Sequence, residues 1–150
     1  MKINITKKEY RLLLDVFSIA TWVMNSHKYE PDPKSVPYED LEQKFMAFAK
    51  DFGFKNLVEY DPKRETYYPT SEYEELESDM QFIEEFEEDS FWEHLGSSLA
   101  RRDLINEIGR KEFESMKPMD RFQEVDKRTA EYHKEFEENG IKNLIILKND

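Results

Sequence analysis

His94, Ser97 and Ser98 lie within one helical turn of each other, a spacing that brings an imidazole base beside hydroxyl nucleophiles. Such catalysis also needs an acid to orient the imidazole and an oxyanion hole, usually on an exposed turn, and Ser and His neighbours four apart on a helix are commonplace. The small residues Gly96, Ser97 and Ser98 read first as a place where a second helix approaches closely, with Trp92 packed beside them. The enzymatic alternative is a hydrolase-like small-molecule site built from His94, Arg101, Arg102 and a carboxylate between helices. His133, beside Tyr132, reads as a surface residue.

Metal and nucleotide chemistry finds little footing. The chain has no cysteine, which removes disulfides, thiolate nucleophiles and cysteine metal ligands. Carboxylate clusters can hold Mg or Ca, but no Asp-rich loop with its turn glycine occurs. A di-iron bundle needs Glu three residues before His, whereas Met24, Phe91 and Ala130 precede His27, His94 and His133. Phosphate-binding glycine loops, dinucleotide fingerprints and zinc-protease motifs are absent. The sequence therefore assigns no catalytic, cofactor or metal residue.

The strongest signal is charge. Between Ser71 and Asp89 stand ten carboxylates (Glu72, Glu74, Glu75, Glu77, Asp79, Glu84, Glu85, Glu87, Glu88 and Asp89) and no Lys or Arg. Removing them from the 34 acids of the chain leaves 24 against 22 Lys and Arg, so most of the net charge of −12 is local to this segment. Acids at the start of a helix favour its dipole, while Glu85, Glu87 and Glu88 fall at the unfavourable end. Three explanations compete: a solvated face, pairing with Arg101, Arg102, Arg110 or Lys111, or a patch for a basic partner. The third makes Glu84, Glu85, Glu87, Glu88, Asp89 and Trp92 the candidate partner-binding residues. Asp15, alone in a nearly all-apolar stretch, lies on a thin polar line with Arg11, Ser18 and Asn25 and reads as structural.

The elements that must carry these residues follow from spacing. Thr6 to Glu9 has capping-box spacing and opens a first helix that is apolar almost all round, so it belongs in the middle. The prolines of residues 29–34 force a loop. A second helix spans Tyr38 to Phe52, with Leu41, Phe45, Phe48 and Phe52 at helical spacing and Gly53 as its stop. Residues 57–60 and 65–68 flank Asp61-Pro62-Lys63-Arg64 as a hairpin. Ser71 opens an amphipathic helix with Leu76, Met80, Ile83 and Phe86 on one face. Ser90 opens another that runs to Ile108 and stops at Gly109, with Gly96 as a possible kink. Pro118 starts a last helix ending at Gly140, and Ile141 to Leu147 reads as a strand. The resemblance of Gly53-Phe54-Lys55-Asn56-Leu57-Val58 to Gly140-Ile141-Lys142-Asn143-Leu144-Ile145 suggests that the two strands pair.

The expectation is one α-dominated α+β domain over residues 1–150, with about five helices around a central first helix and a small sheet of hairpin and carboxyl-terminal strand. Ile3 and Ile5 can add an edge. A 14% aromatic content supplies large buried side chains. No apolar stretch is long enough to span a bilayer and no signal core opens the chain, so a cytoplasmic protein is expected. A pI near 4.8 makes nucleic acid a poor partner. The expected function is a non-enzymatic interaction module, an adaptor or inhibitor that engages a basic protein, with the hydrolase-like enzyme and a structural homodimer as alternatives.

Overall fold

A computed structural model describes residues 2–146. Among them the chain is mostly helical, with six helices and one two-stranded antiparallel sheet, an α-dominated α+β fold. No helix there is long and apolar enough to cross a membrane. The chain divides into two compact units, Met1–Glu84 and Glu85–Asp150.

In the first unit, helix α1 covers Lys7–Asn25. Its capping box forms as the spacing predicts: Glu9 N–H donates to Thr6 Oγ1 at 3.3 Å and Thr6 N–H to Glu9 Oε2 at 2.8 Å. The helix is not buried all round. It buries Tyr10 and Leu14, whereas Leu12, Val16 and Val23 are about half exposed, so only one of its two apolar stripes meets a core. Helix α2, Val36–Met46, is shorter than its periodicity suggests. Beyond it the chain tightens into three-residue turns, Phe48 N–H to Phe45 O and Ala49 N–H to Met46 O, until Gly53 at φ +78°. Aromatic packing explains the change. Tyr10 stacks on Phe52 and Phe54, with ring centres 4.2 and 6.1 Å away, and its hydroxyl donates to Phe45 O at 2.7 Å.

Strands β1, Val58–Asp61, and β2, Thr66–Pro69, pair with Val58 opposite Pro69 and Asp61 opposite Thr66. The Asp61 carboxylate accepts from Lys63 and Arg64 N–H, closing the loop in the way Asp commonly does. The Gln43 side chain ties α2 to the sheet, accepting from Tyr67 N–H at 2.6 Å and donating to Tyr67 O at 2.8 Å. Tyr10, Leu14, Met46, Ala49, Leu57, Val58 and Tyr73 form the buried core. Ile5 packs against it, but residues 2–6 form no strand.

The acidic segment departs most from expectation. It begins with a single turn, α3, Ser71–Glu74, capped by Thr70 rather than by Ser71. The chain then breaks at residues 75–79, with Glu77 at φ +49°, before α4 runs uninterrupted from Met80 to Ile108. Of the proposed apolar face only Ile83 is fully buried, while Leu76 and Phe86 are exposed. Ser90 therefore sits inside a helix and caps nothing. The break lies earlier because the polar line of α1 holds it: Arg11 and Asp15 bind Ser78, and Ser18 donates to Asp79.

The second unit comprises α4 from Glu85 onward, α5 at Arg110–Ser115 and α6 at Pro118–Asn139. Gly109, at φ +86°, separates α4 from α5 in a conformation other residues adopt at a cost. Ala100, Leu104, Phe113 and Phe136 are buried. Arg101 and Arg121 both lie over the Phe113 ring, 5.4 and 5.3 Å from its centre. At Gly96 α6 comes close: a Cβ there would sit 3.0 Å from the His133 ring and 3.5 Å from Thr129 Cγ2. A close approach at the small residues was the expectation, and α4 continues through Gly96. Gly96→Leu is expected to overpack this contact and destabilise the protein by about 1–2 kcal/mol in urea denaturation.

Residues 141–143 form a turn and 144–146 irregular chain, not the expected strand; Leu147 lies outside the described residues. Among the described residues only β1 and β2 pair. The two glycine-led hexapeptides share a glycine at positive φ but not a strand pairing: Gly140 ends α6, whereas Gly53 lies beyond the end of α2. The first copy is held by Thr70, at the end of the hairpin, whose N–H donates to Leu57 O at 3.1 Å and whose hydroxyl donates to Asn56 O at 2.6 Å.

Candidate functional site

Along α4, positions 88, 89, 92 and 93 share one helical face, since residues three and four apart are neighbours. That face carries Glu88, Asp89, Trp92 and Glu93. On α6, positions 133, 136 and 137 repeat the same spacing with His133, Phe136 and Glu137. The two faces enclose a groove of about 710 Å³ lined by these seven residues. Trp92 and Phe136 pack with ring centres 5.3 Å apart, and Phe91 meets Trp92 edge-on at 4.8 Å. An aromatic wall is thus fixed among four carboxylates.

Charge in the groove is unbalanced. No Lys or Arg lines it. His133 Nε2 is 3.4 Å from Glu93 Oε2, but it is shielded from water and makes no hydrogen bond among the described residues. The ring is half-buried against Gly96 rather than free on the surface, which corrects the reading of His133 from sequence. No three His, Asp or Glu side chains among the described residues are placed to share one metal ion. Carboxylates around an aromatic face instead favour an organic cation, whose charge the ring quadrupole and the acids attract together.

Of the residues named from sequence, Glu88, Asp89 and Trp92 line the groove. Glu84, Glu85 and Glu87 are exposed on α4, and none of the acids from Glu84 to Asp89 pairs with a basic side chain among the described residues. Intramolecular neutralisation is therefore not what balances this segment. Arg102 instead donates to Asp103 at 2.8 Å, and Arg110 faces Glu114 at 3.9 Å. Glu93, His133, Phe136 and Glu137 were missed, although their spacing relative to Trp92 and to one another was visible.

The enzymatic candidates do not converge. His94 is exposed, Arg101 stacks on Phe113, and Arg102 turns to Asp103 and Tyr132. Asp103 also accepts from the Tyr132 hydroxyl, and the Arg102 hydrogen bond foremost holds its carboxyl below the ordinary range. Nearby, Arg128 reaches Glu107 at 2.8 Å and Glu124 at 2.7 Å. These groups satisfy one another and offer little uncompensated charge to a ligand.

In the first unit, Asp15 is structural: its Oδ1 accepts from Arg11 at 2.5 Å and from the Tyr73 and Ser78 hydroxyls at 2.9 Å each. Asp79 is also buried, so one of the ten acids serves packing rather than surface charge. No protein-family model, curated protein or solved structure matches the chain.

Proposed function

We propose that the chain is a non-enzymatic interaction module of the adaptor or inhibitor type. It engages a basic protein through the acidic face of α4, and the groove at Trp92 receives a Lys or Arg side chain of that partner. The observation that carries this reading is the groove itself, where four carboxylates surround a fixed aromatic wall without a basic side chain among the lining residues. Glu84, Glu85 and Glu87 extend the same negative field along α4 and would steer the partner's approach.

A Lys- and Arg-rich peptide is a suitable probe, and the position of charge is the variable to test. The variant Glu88→Gln, Asp89→Asn, Glu93→Gln, Glu137→Gln should bind it at least about tenfold more weakly than wild type, with a shallower salt dependence. Glu72→Gln, Glu74→Gln, Glu75→Gln, Glu77→Gln removes as much charge elsewhere and should lose markedly less. Equal losses would mean that only net charge matters, and the groove would have no role.

A second reading has its own observation. Leu12, Val16 and Val23 share an exposed stripe on α1, as a homodimer interface would. A molecular mass that stays monomeric as concentration rises would exclude it.

A further inference from the structure

The first unit contains a second pocket, of about 480 Å³, bounded by α1, α2 and the hairpin. Its volume is ordinary for a small-molecule site. Leu14, Trp22, Met46 and Tyr67 supply much of an apolar and aromatic wall. Glu42, only 7% exposed, stands in that wall. Its Oε2 accepts from Thr21 Oγ1 at 2.8 Å, the one hydrogen bond to this carboxylate among the described residues. No Lys, Arg or His lines the pocket.

The neighbouring residue makes the contrast. Gln43 uses both ends of its amide to lock the sheet, with Thr66 Oγ1 donating to it as a further contact. Glu42 fastens a single hydroxyl, a task a neutral glutamine would perform without the cost of burying a charge. Burial is the main influence that raises its carboxyl above the ordinary range; the Thr21 hydrogen bond opposes this and the charge of Glu39 adds to it.

We propose that this pocket binds a small amphipathic amine, pairing one ammonium group with Glu42 and laying an alkyl or aryl body against Trp22, Met46 and Tyr67. The ammonium supplies the missing countercharge to a largely buried carboxylate, to which a charge-assisted hydrogen bond is strong. This site lies wholly in the first unit and does not rest on the acidic groove of the second.

Phenethylammonium and its neutral counterpart phenethyl alcohol test the assignment. Wild type should bind the ammonium about tenfold or more tightly than the alcohol, with NMR shifts at the Trp22 indole rather than at Trp92. Glu42→Gln should bring the two affinities within about twofold of each other. Trp22→Ala, which keeps the carboxylate, should weaken both probes while the preference survives, so the proposal stays testable if the Gln variant folds poorly. Failure of wild type to bind either probe would overturn it. So would a preference that persists in Glu42→Gln, or one whose shifts appear at Trp92.

Discussion

Raising the pH from 10 to 12 is expected to remove about 2 kcal/mol of stability through Tyr10 alone. Its phenol is pushed up to about 12, first by burial and then by the negative charge of Asp51. Below the ordinary tyrosine value both folded and unfolded chains keep the proton, so this group has no effect there. Above pH 10 the unfolded chain ionises and the folded one does not, which pulls the equilibrium toward unfolding until the folded group also titrates near pH 12. Tyr73 acts in the same direction. Its phenol is raised by burial, by its hydrogen bond to Asp15 and by the charges of Asp15 and Asp79. Urea midpoints taken across this range, read alongside phenolate absorbance, should fall steeply in wild type and less steeply in Tyr10→Phe. A midpoint that does not move between pH 10 and 12 would show that Tyr10 ionises freely in the folded state.

Local signals were legible where one short stretch of chain decides the outcome. The Thr6 capping box, the Asp61 loop and the stop at Gly140 depend on groups within four residues of each other, and all three form. The helix boundaries at 46 and 75–79 were not legible because distant groups set them. Tyr10 takes the Phe45 carbonyl across 35 positions, and Asp15 takes the Ser78 hydroxyl across 63. Ser90 shows the reverse: its spacing suits a cap, but a cap worth about 1 kcal/mol does not interrupt a helix that packs on both sides of it.

The candidate groove was half legible for a related reason. Charge density singled out Glu88 and Asp89, and aromatic size singled out Trp92. Pairing α4 with α6 is a tertiary fact, and the only local hint was that small Gly96 asks for a close neighbour. Following that hint to His133 would have brought Phe136 and Glu137, three and four residues further on, to the same face. Glu42 offered no local sign, because on α2 it resembles any exposed helical glutamate until the fold closes over it.

Asp15→Ala is expected to cost about 2–4 kcal/mol, a large share of the stability of a small protein. One oxygen of this carboxylate accepts three hydrogen bonds. Alanine would leave the Arg11 guanidinium, which also lies over the Tyr73 ring at 4.9 Å, without its countercharge. It would also strand the Tyr73 hydroxyl, and an unpaired buried donor costs more than a paired one contributes. Full burial would place the loss at the top of that range, but Asp15 and Arg11 keep 13% and 18% of their side-chain surface exposed, so water softens it. Asp15→Asn retains an acceptor and should cost about half as much. Because the same hydroxyl is counted in both, Asp15→Ala combined with Tyr73→Phe should destabilise by less than the sum of the two single changes. Strict additivity in urea denaturation would mean that Asp15 and Tyr73 do not share an interaction, and the break at residues 75–79 would then need a different anchor from the polar line of α1.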